Sequence, residues 1–370
     1  FANRIYSQYA LLIGRDPDAT VLGEASAWQL ARSIAKEATG DQLGDLDKSL
    51  DQLTEAILDM ARSLADNVAD PAEVRSFARK FTEHVEKLPF SLEKTRKTKE
   101  PELVAKALEY GATRYAEVKR ERGLIEFSDQ VSLALEICRR FPSVIEDIRS
   151  QFSVVLLDEY QDTSVVQAQL LSLLFNNMGV MAVGDPYQSI YGWRGASADN
   201  LGQFASEFAA NRGAVSQFTL STSWRNPTSV LDAANTIATS LASTTQVKVE
   251  QLHPRVAAPA GAVQSLYAET ILDEAAQVAQ WFQKNITPDT SAAMLCRSLG
   301  TVEPFKLALT EAGVPFHVVG LGGLLDEPVV VDIVCTLRVL HDATADSELV
   351  RLLTGARWAV APADVMALNK

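Results

Sequence analysis

The sequence is poor in the residues that build disulfide and metal frameworks. Its 370 residues include only three cysteines, Cys138, Cys296 and Cys335, which lie far apart and form no CxxC pair. This spacing argues against a disulfide or zinc framework and predicts small buried thiols in a reducing compartment. The four histidines are also scattered, which argues against a histidine-based metal centre, because such a site needs several ligands close together.

Long apolar runs and a secretory leader are also missing. No stretch is apolar over the length that a bilayer-spanning helix needs, and the chain does not start with a signal-peptide pattern. We therefore expect a cytoplasmic protein with no membrane partner. Hydrophobic residues make up 47% and charged residues 22%, as in globular proteins, and the length predicts two to three domains.

The charge balance is acidic but uneven. A net charge of −13 argues against a protein that coats nucleic acid through bulk charge alone. Lys and Arg nevertheless outnumber acidic residues within 75–122, most densely in "EKTRKTK" at 93–99. From composition alone, we interpret this segment as a solvated helix and loop surface.

The first third of the chain has a helical pattern. Residues 21–122 are rich in Ala, Leu, Glu, Gln and Lys, and their apolar positions recur at spacings of three and four. Asp70 followed by Pro71 predicts a helix start. The segment 88–102 is expected to be a long loop.

From about residue 123 onward, short apolar runs alternate with helical segments. One amphipathic helix is expected to end near Pro142. The alternation predicts an α/β fold with a parallel sheet covered by helices, and the later strands are assigned to a second α/β layer. Strands are expected at 152–158, 179–185, 214–221, 262–268, 291–297 and 315–320, with helices at 164–177, 198–210, 227–241, 271–285 and 303–312.

Two adjacent acids follow the first of these strands. In "VVLLDEYQDTS" the apolar run leads directly into Asp158 and Glu159. Ligands of open α/β sheets bind beyond the carboxyl ends of the strands, where an Asp can hold Mg²⁺ and a Glu can deprotonate a water. The alternative is that the pair caps the next helix.

The second strand also ends in an acid, and two aromatic residues follow it. In "VGDPYQSIYGWRGAS", Tyr191 and Trp193 stand two positions apart in a glycine-containing loop, and Arg194 follows them. This arrangement is typical of a stacking platform for unpaired bases. The alternative is that both rings fill a core behind a turn.

The third segment is "LSTSWRNP", in which Arg225 follows Trp224 between a strand and a proline-initiated helix. An arginine at this point is suited to reach a γ-phosphate as an arginine finger. A structural salt bridge is the alternative.

Together, these segments resemble a known family. "LLDEYQDTS", "VGDPYQSIYGWRGA" and "LSTSWRNP" resemble the second, third and fourth motifs of UvrD/Rep-type superfamily 1 DNA helicases, in the same order and at similar separations. "GLIEFSDQVSLAL" is similar to a short motif that precedes them. The resemblance implies a RecA-like parallel sheet and an ATP- and Mg²⁺-dependent 3′-to-5′ DNA helicase in repair or recombination. Its implied DNA partners are single strands and junctions between single and double strands.

The resemblance also implies roles for individual residues. Matched by position, they are Asp158 for Mg²⁺, Glu159 as general base, Gln188 for sensing the γ-phosphate, Arg225 as arginine finger, Trp224 for adenine stacking, and Tyr191, Trp193 and Arg194 for single-stranded DNA.

The implied layout has three parts. Residues 1–122 are expected to form a mostly helical accessory insertion of the first motor domain, 123–213 its core, and 214–370 the start of the second motor domain. No glycine of the chain is followed by lysine, so the phosphate-binding G-x-x-x-x-G-K-[ST] loop is missing, and the family's late motifs are missing too. We therefore expect an internal segment of a longer helicase, inactive by itself and dependent on the rest of that polypeptide.

Two other functions remain open at this point. One is a helicase-like DNA-binding or scaffold subunit without ATPase activity, although such a subunit has no chemical need for the complete set of ATP-hydrolysing residues, Asp158, Glu159, Gln188 and Arg225. The other is a phosphotransferase or another nucleotide-binding enzyme, against which the aromatic loop argues.

Overall fold

The structure is a computed structural model that describes residues 1–37, 49–87, 111–192, 195–196, 199–209, 215–241, 247–287, 289–319, 327–342 and 345–368. The chain divides into two compact units, 1–263 and 264–370. Within these ranges, none of the helices combines the length and the apolar character that crossing a membrane requires.

The first unit is mixed α/β with small parallel sheets. Its elements are α1 (Ala2–Tyr9), β1 (Thr20–Val21), α2 (Glu24–Glu37), α3 (Leu50–Asn67), α4 (Pro71–Glu86), α5 (Thr113–Glu121), β2 (Leu124–Ile125), α6 (Phe127–Arg140), α7 (Pro142–Ser150), β3 (Val154–Leu157), α8 (Val165–Phe175), β4 (Gly179–Ala182), α9 (Asn200–Phe208), β5 (Thr222–Ser223), α10 (Thr228–Ala238) and β6 (His253–Pro254). Short 3₁₀ helices span Ala10–Ile13, Tyr160–Asp162, Pro186–Gln188 and Thr239–Leu241.

The helical prediction for the first third of the chain is confirmed in the described residues. The apolar stripes of α2, α3 and α5 pack together in a core that contains Ile34, Ile57 and Tyr115. The predicted start of α4 is also confirmed, because an Asp70 carboxylate oxygen accepts the Ala72 N–H at 2.8 Å. The basic segment 93–99 and the expected loop at 88–102 lie outside the described residues.

A second core lies against β3 and β4, which pair in parallel from Val154–Gly179 to Leu157–Ala182. Parallel pairing of these two strands confirms that part of the sequence prediction. The described helices cover one face: Val155 is buried, whereas Val154 is 63% and Leu156 is 69% exposed. Because successive side chains of a strand point to opposite faces, the continuous apolar run places apolar side chains on both faces of the sheet.

Several predicted strands are wrong. The described parts of 214–221, 262–268, 291–297 and 315–320 carry no assigned strand, and only Thr222–Ser223 pairs, with His253–Pro254. A strand needs a neighbour for its N–H and C=O groups, and an apolar pattern does not supply one. Apolar side chains of these segments are also exposed to solvent; Tyr267, for example, is 95% exposed.

The second unit is helical in its described residues. A small core joins its first two helices through Ala279, Leu309 and Val314. The helices are α11 (Ile271–Asn285), α12 (Glu303–Glu311), α13 (Pro328–His341), α14 (Asp346–Thr354) and α15 (Pro362–Leu368), with a 3₁₀ turn at Leu299–Thr301.

The prediction of buried thiols is confirmed for Cys138 and Cys335 and is wrong for Cys296, which is exposed.

Candidate active site

The carboxyl ends of β3 and β4 meet at one edge, because the two strands run in parallel. The Val183 N–H donates to the Leu157 carbonyl at 2.8 Å, and the Tyr160 N–H donates to the Val183 carbonyl at 2.9 Å. These bonds continue the pairing beyond the last ladder residues. The acidic segments after the two strands are therefore held next to each other.

Asp158 and Glu159 occupy the end of β3 and expose both of their carboxylates. The Glu159 backbone is left-handed, with φ +51° and ψ +41°. For a residue other than glycine, this conformation costs about 1–2 kcal/mol. One Asp158 carboxylate oxygen accepts the Glu159 N–H at 3.0 Å. The pair starts the 3₁₀ turn Tyr160–Asp162 rather than a regular helix, so the helix-cap alternative is not what the geometry shows.

Gln161, for which the sequence motifs predict no role, links the two strand ends. Its side chain is only 1% exposed. Its Nε2 donates to Oε2 of Glu159 at 2.9 Å, and its Oε1 accepts the Asp185 N–H at 3.1 Å. Because a backbone N–H faces Oε1, the orientation of the amide is fixed by its partners. Its backbone carbonyl accepts a third bond, from the Ser189 hydroxyl at 3.3 Å.

Gln188 is held at the end of β4 by Asp185. One Asp185 carboxylate oxygen accepts the Tyr187 N–H at 2.9 Å and so starts the 3₁₀ turn Pro186–Gln188. The other accepts Nε2 of Gln188 at 2.8 Å. A sequence signal for Gln161 was present, since "DEYQ" and "DPYQ" follow the two paired strands and place a glutamine at the same offset from each strand-end aspartate.

The loop after Gln188 carries the predicted stacking residues. Tyr191 is 37% exposed, and its carbonyl accepts the Ala196 N–H at 3.3 Å. Ala196 forms an isolated bridge with Ser164, which anchors the end of the loop. Gly195 has φ +79°, and a Cβ there would lie 3.0 Å from Cβ of Asp66 on α3. Trp193 and Arg194 lie outside the described residues.

Trp224 and Arg225 follow β5, and both are exposed, Trp224 by 77%. Among the described residues, Arg225 has no hydrogen bond or ion pair, so the salt-bridge alternative has no partner there. No described contact brings either side chain to Glu159 or Gln188. The structure thus assembles Asp158, Glu159 and Gln188 at one sheet edge.

An ion network fixes the start of α6, in the segment "GLIEFSDQ". Nζ of Lys119 lies 3.0 Å from Glu126 and 2.6 Å from Asp129, and Arg62 of α3 lies 2.9 Å from Glu126. Burial acts to raise the pKa of the Glu126 carboxyl, but Lys119 and Arg62 outweigh it and hold that pKa below its usual value. The network therefore locks α3 and α5 onto α6.

The donor set suits a Mg²⁺ ion bound together with a nucleotide. Within the described ranges, no three His, Cys, Asp or Glu side chains converge on a metal position. Mg²⁺ usually takes one or two carboxylates and completes its shell with water and substrate phosphates. Asp158 offers one exposed carboxylate whose second oxygen has no hydrogen-bond partner among the described residues, so a single-carboxylate Mg²⁺ site fits.

Comparison with known proteins places the chain in a family. Residues 1–209 match the model of the UvrD/REP helicase N-terminal domain. DNA helicase II of Escherichia coli K12 is 29% identical over 250 residues, which cover 65% of this chain and 33% of the relative. ATP-dependent DNA helicase PcrA of Staphylococcus epidermidis RP62A is 26% identical over 247 residues, which cover 65% and 32%.

The chain spans about a third of the length of these curated relatives. The matched family model covers more than half of the chain and includes both strand-end segments and the aromatic loop. The chain therefore belongs to the UvrD/Rep helicase family.

Proposed function

We propose that the complete protein containing this chain is an ATP-dependent DNA helicase or translocase that moves 3′ to 5′ in repair or recombination. The observation that carries this proposal is the continuous polar link from Glu159 through Gln161 and Asp185 to Gln188. It joins a candidate base to a candidate phosphate sensor at one sheet edge. Family membership and the relatives' names support the same activity.

In this proposal ATP hydrolysis takes place at the carboxyl edge of β3 and β4. Glu159 accepts a proton from the water whose oxygen bonds to the γ-phosphorus, while the bond from that phosphorus to the β–γ bridging oxygen breaks and ADP leaves. Gln188 contacts the γ-phosphate. Asp158 holds Mg²⁺, which when bound neutralises phosphate charge.

The remaining site residues serve the nucleotide and DNA in the complete protein. Trp224 stacks on adenine, and Arg225 acts as the arginine finger. Tyr191, Trp193 and Arg194 contact single-stranded DNA near a junction with duplex. The proposed layout is RecA-like, with accessory insertion 1–122, first motor core 123–213 and second motor domain from 214.

The proposal is tested by measuring steady-state ATP hydrolysis by the complete protein in the presence of Mg²⁺, with and without a single-stranded oligonucleotide. We expect turnover that rises on DNA addition, and unwinding of partial duplexes with a 3′ tail rather than a 5′ tail. DNA binding without ATP hydrolysis would favour the scaffold alternative. Hydrolysis indifferent to DNA would favour a different nucleotide-binding enzyme.

The isolated 370-residue chain is proposed to be inactive, because it carries no glycine–lysine phosphate loop. Isothermal titration of this chain with Mg·ATP is expected to show at best weak binding. Low-micromolar affinity would contradict that part of the proposal.

A further inference from the structure

Gln161 is a buried amide next to the exposed Asp158 and Glu159, and both of its side-chain hydrogen bonds among the described residues lead to the strand-end segments. One end of the amide contacts Glu159, and the other contacts the first residue of the segment that carries Gln188. A buried amide left without partners would cost about 1–3 kcal/mol, so these bonds strongly favour one orientation. The bond from Nε2 of Gln161 to Oε2 of Glu159 also fixes the orientation of the Glu159 carboxylate.

The space around Gln161 is shaped for this side chain. A Cβ on Gly184 would lie 2.6 Å from Oε1 of Gln161 and 3.2 Å from its backbone nitrogen. A side chain at 184 would displace the amide end of Gln161 and with it the bonds to Glu159 and Asp185, so the strand end and the amide fit together.

A neutral amide suits the contact with a general base. Its Nε2 holds one oxygen of Glu159, and the other oxygen has no hydrogen-bond partner among the described residues, which leaves it open to a water. A cation in that place would pair with the carboxylate and compete with the proton it must accept. The left-handed backbone at Glu159 needs such a restraint, because no regular secondary structure fixes it.

We infer that Gln161 is a positioning residue that orients the Glu159 carboxylate and ties that orientation to the loop carrying Gln188 and Tyr191. The inference rests on the proposed function, because it assigns Glu159 as the base. Two bonds couple the loop to Gln161, from the Asp185 N–H and from the Ser189 hydroxyl. A single strand of DNA that binds Tyr191 and shifts this loop acts on the Glu159 carboxylate, the proposed general base, through these two hydrogen bonds.

The test uses two substitutions of Gln161 in the complete protein. Gln161→Glu keeps an acceptor for the Asp185 N–H, removes the donor to Glu159 and places a second carboxylate against it. Gln161→Met has a similar length and removes both bonds. The matched control is Gln167→Glu, because Gln167 lies on the exposed side of α8 and uses its Oε1 only to accept the Ser164 N–H at 2.9 Å, which a glutamate can also do.

Two readouts separate positioning from general stability. The first is ATP turnover, where Gln161→Glu is expected to lower kcat about 10- to 100-fold with KM for ATP unchanged and with less stimulation by DNA. The second is hydrogen exchange at the Asp185 amide, which needs no activity. Protection there is expected to persist in Gln161→Glu and to be lost in Gln161→Met, and the control matches the wild type in both readouts.

A swapped pair gives a third readout. In the double variant Glu159→Gln with Gln161→Glu, the donor sits at 159 and the acceptor at 161, so the contact is restored in reverse. We expect its melting temperature to return toward that of the wild type while ATP turnover stays low.

Each outcome decides the inference. Wild-type kcat in both Gln161 variants would overturn it, as would a Gln161→Glu protein that loses both kcat and protection at the Asp185 amide, which indicates a structural role. If the wild-type protein hydrolyses no ATP, the proposed function fails by itself. Exchange at Asp185 and the swapped pair then decide separately whether Gln161 joins the two strand ends in solution.

Discussion

Gly184 and Gln161 fit against each other so closely that a methyl group at 184 would lie 2.6 Å from Oε1 of Gln161. The glycine has no positive φ, so its role is to leave space rather than to adopt an unusual backbone. The end of β4 therefore approaches the end of β3 through the amide that contacts Glu159. A substitution at 184 thus tests the site without touching a proposed catalytic group.

Gly184→Ala is predicted to push Gln161 out of place. We expect a loss of about 1–3 kcal/mol in the free energy of unfolding, as for other overpacked sites, and a lower kcat for ATP. Denaturation and turnover measurements check both effects. The control is Gly179→Ala at the start of the same strand, where a Cβ meets nothing closer than 3.9 Å. Equal effects at both positions would contradict the packing argument.

The backbone at Glu159 gives a second prediction. Glycine is free of the left-handed penalty that alanine has, so Glu159→Gly should be more stable than Glu159→Ala by about 1 kcal/mol. The order should reverse at Glu146, an exposed position inside α7, where glycine is the poorer residue by a similar amount. Chemical denaturation of the four variants is the measurement. Alanine being the better residue at 159 would show that this backbone is not left-handed in solution.

Some elements could be predicted from the sequence because their signals are local. The apolar runs before Asp158 and after Met178 became β3 and β4, and the Asp70–Pro71 start of α4 needs only its own turn. The candidate site was found for the same reason, since strand-end acids are adjacent in sequence.

What could not be predicted depends on groups that come together only in the folded chain. Nothing local indicates that Gln161 is buried or that Glu159 adopts a left-handed backbone. The runs 262–268 and 291–297 have strand-like composition but no ladder partner among the described residues. Strand formation depends on a neighbouring strand that is often far away in sequence, which a local pattern does not reveal.

The ion network at the start of α6 predicts sensitivity to acid. The folded pKa of Glu126 is lowered, so its contribution to stability is present above its unfolded pKa, about 4.5, and is lost as pH falls through the folded pKa below that. Glu126→Gln is expected to destabilise the protein by about 1.5–3 kcal/mol at neutral pH, because the buried Lys119 loses one charged partner and keeps Asp129. Part of the acid sensitivity should disappear with it.

The control for this prediction is Glu117→Gln on α5. Glu117 pairs at 3.2 Å with Arg114, and both side chains are about half exposed, so its removal should leave the unfolding midpoint nearly unchanged. Denaturation at neutral pH and near pH 4 measures both variants. A Glu126→Gln protein as stable as the control would contradict a structural role for the network.

Tyr191 is predicted to stack on an unpaired base. Tyr191→Ala in the complete protein should weaken single-strand affinity by about 1–3 kcal/mol, whereas Tyr191→Phe keeps the ring and should bind nearly as well. Trp193→Ala is predicted to act in the same direction. Fluorescence anisotropy with a labelled oligonucleotide, run beside thermal melts, is the measurement. Unchanged affinity with a loss of about 3–5 kcal/mol in stability would show that the ring belongs to the core.

The central claim is that Glu159 is the base of a DNA-stimulated ATPase, and turnover of Glu159→Gln tests it most directly. A glutamine still offers an oxygen to Nε2 of Gln161, so folding should be unchanged and the effect should be chemical. We predict a fall in kcat of at least about 100-fold with DNA present, within the range of general-base contributions, and no fall in the control Glu146→Gln. Turnover near the wild-type value in Glu159→Gln would contradict the account.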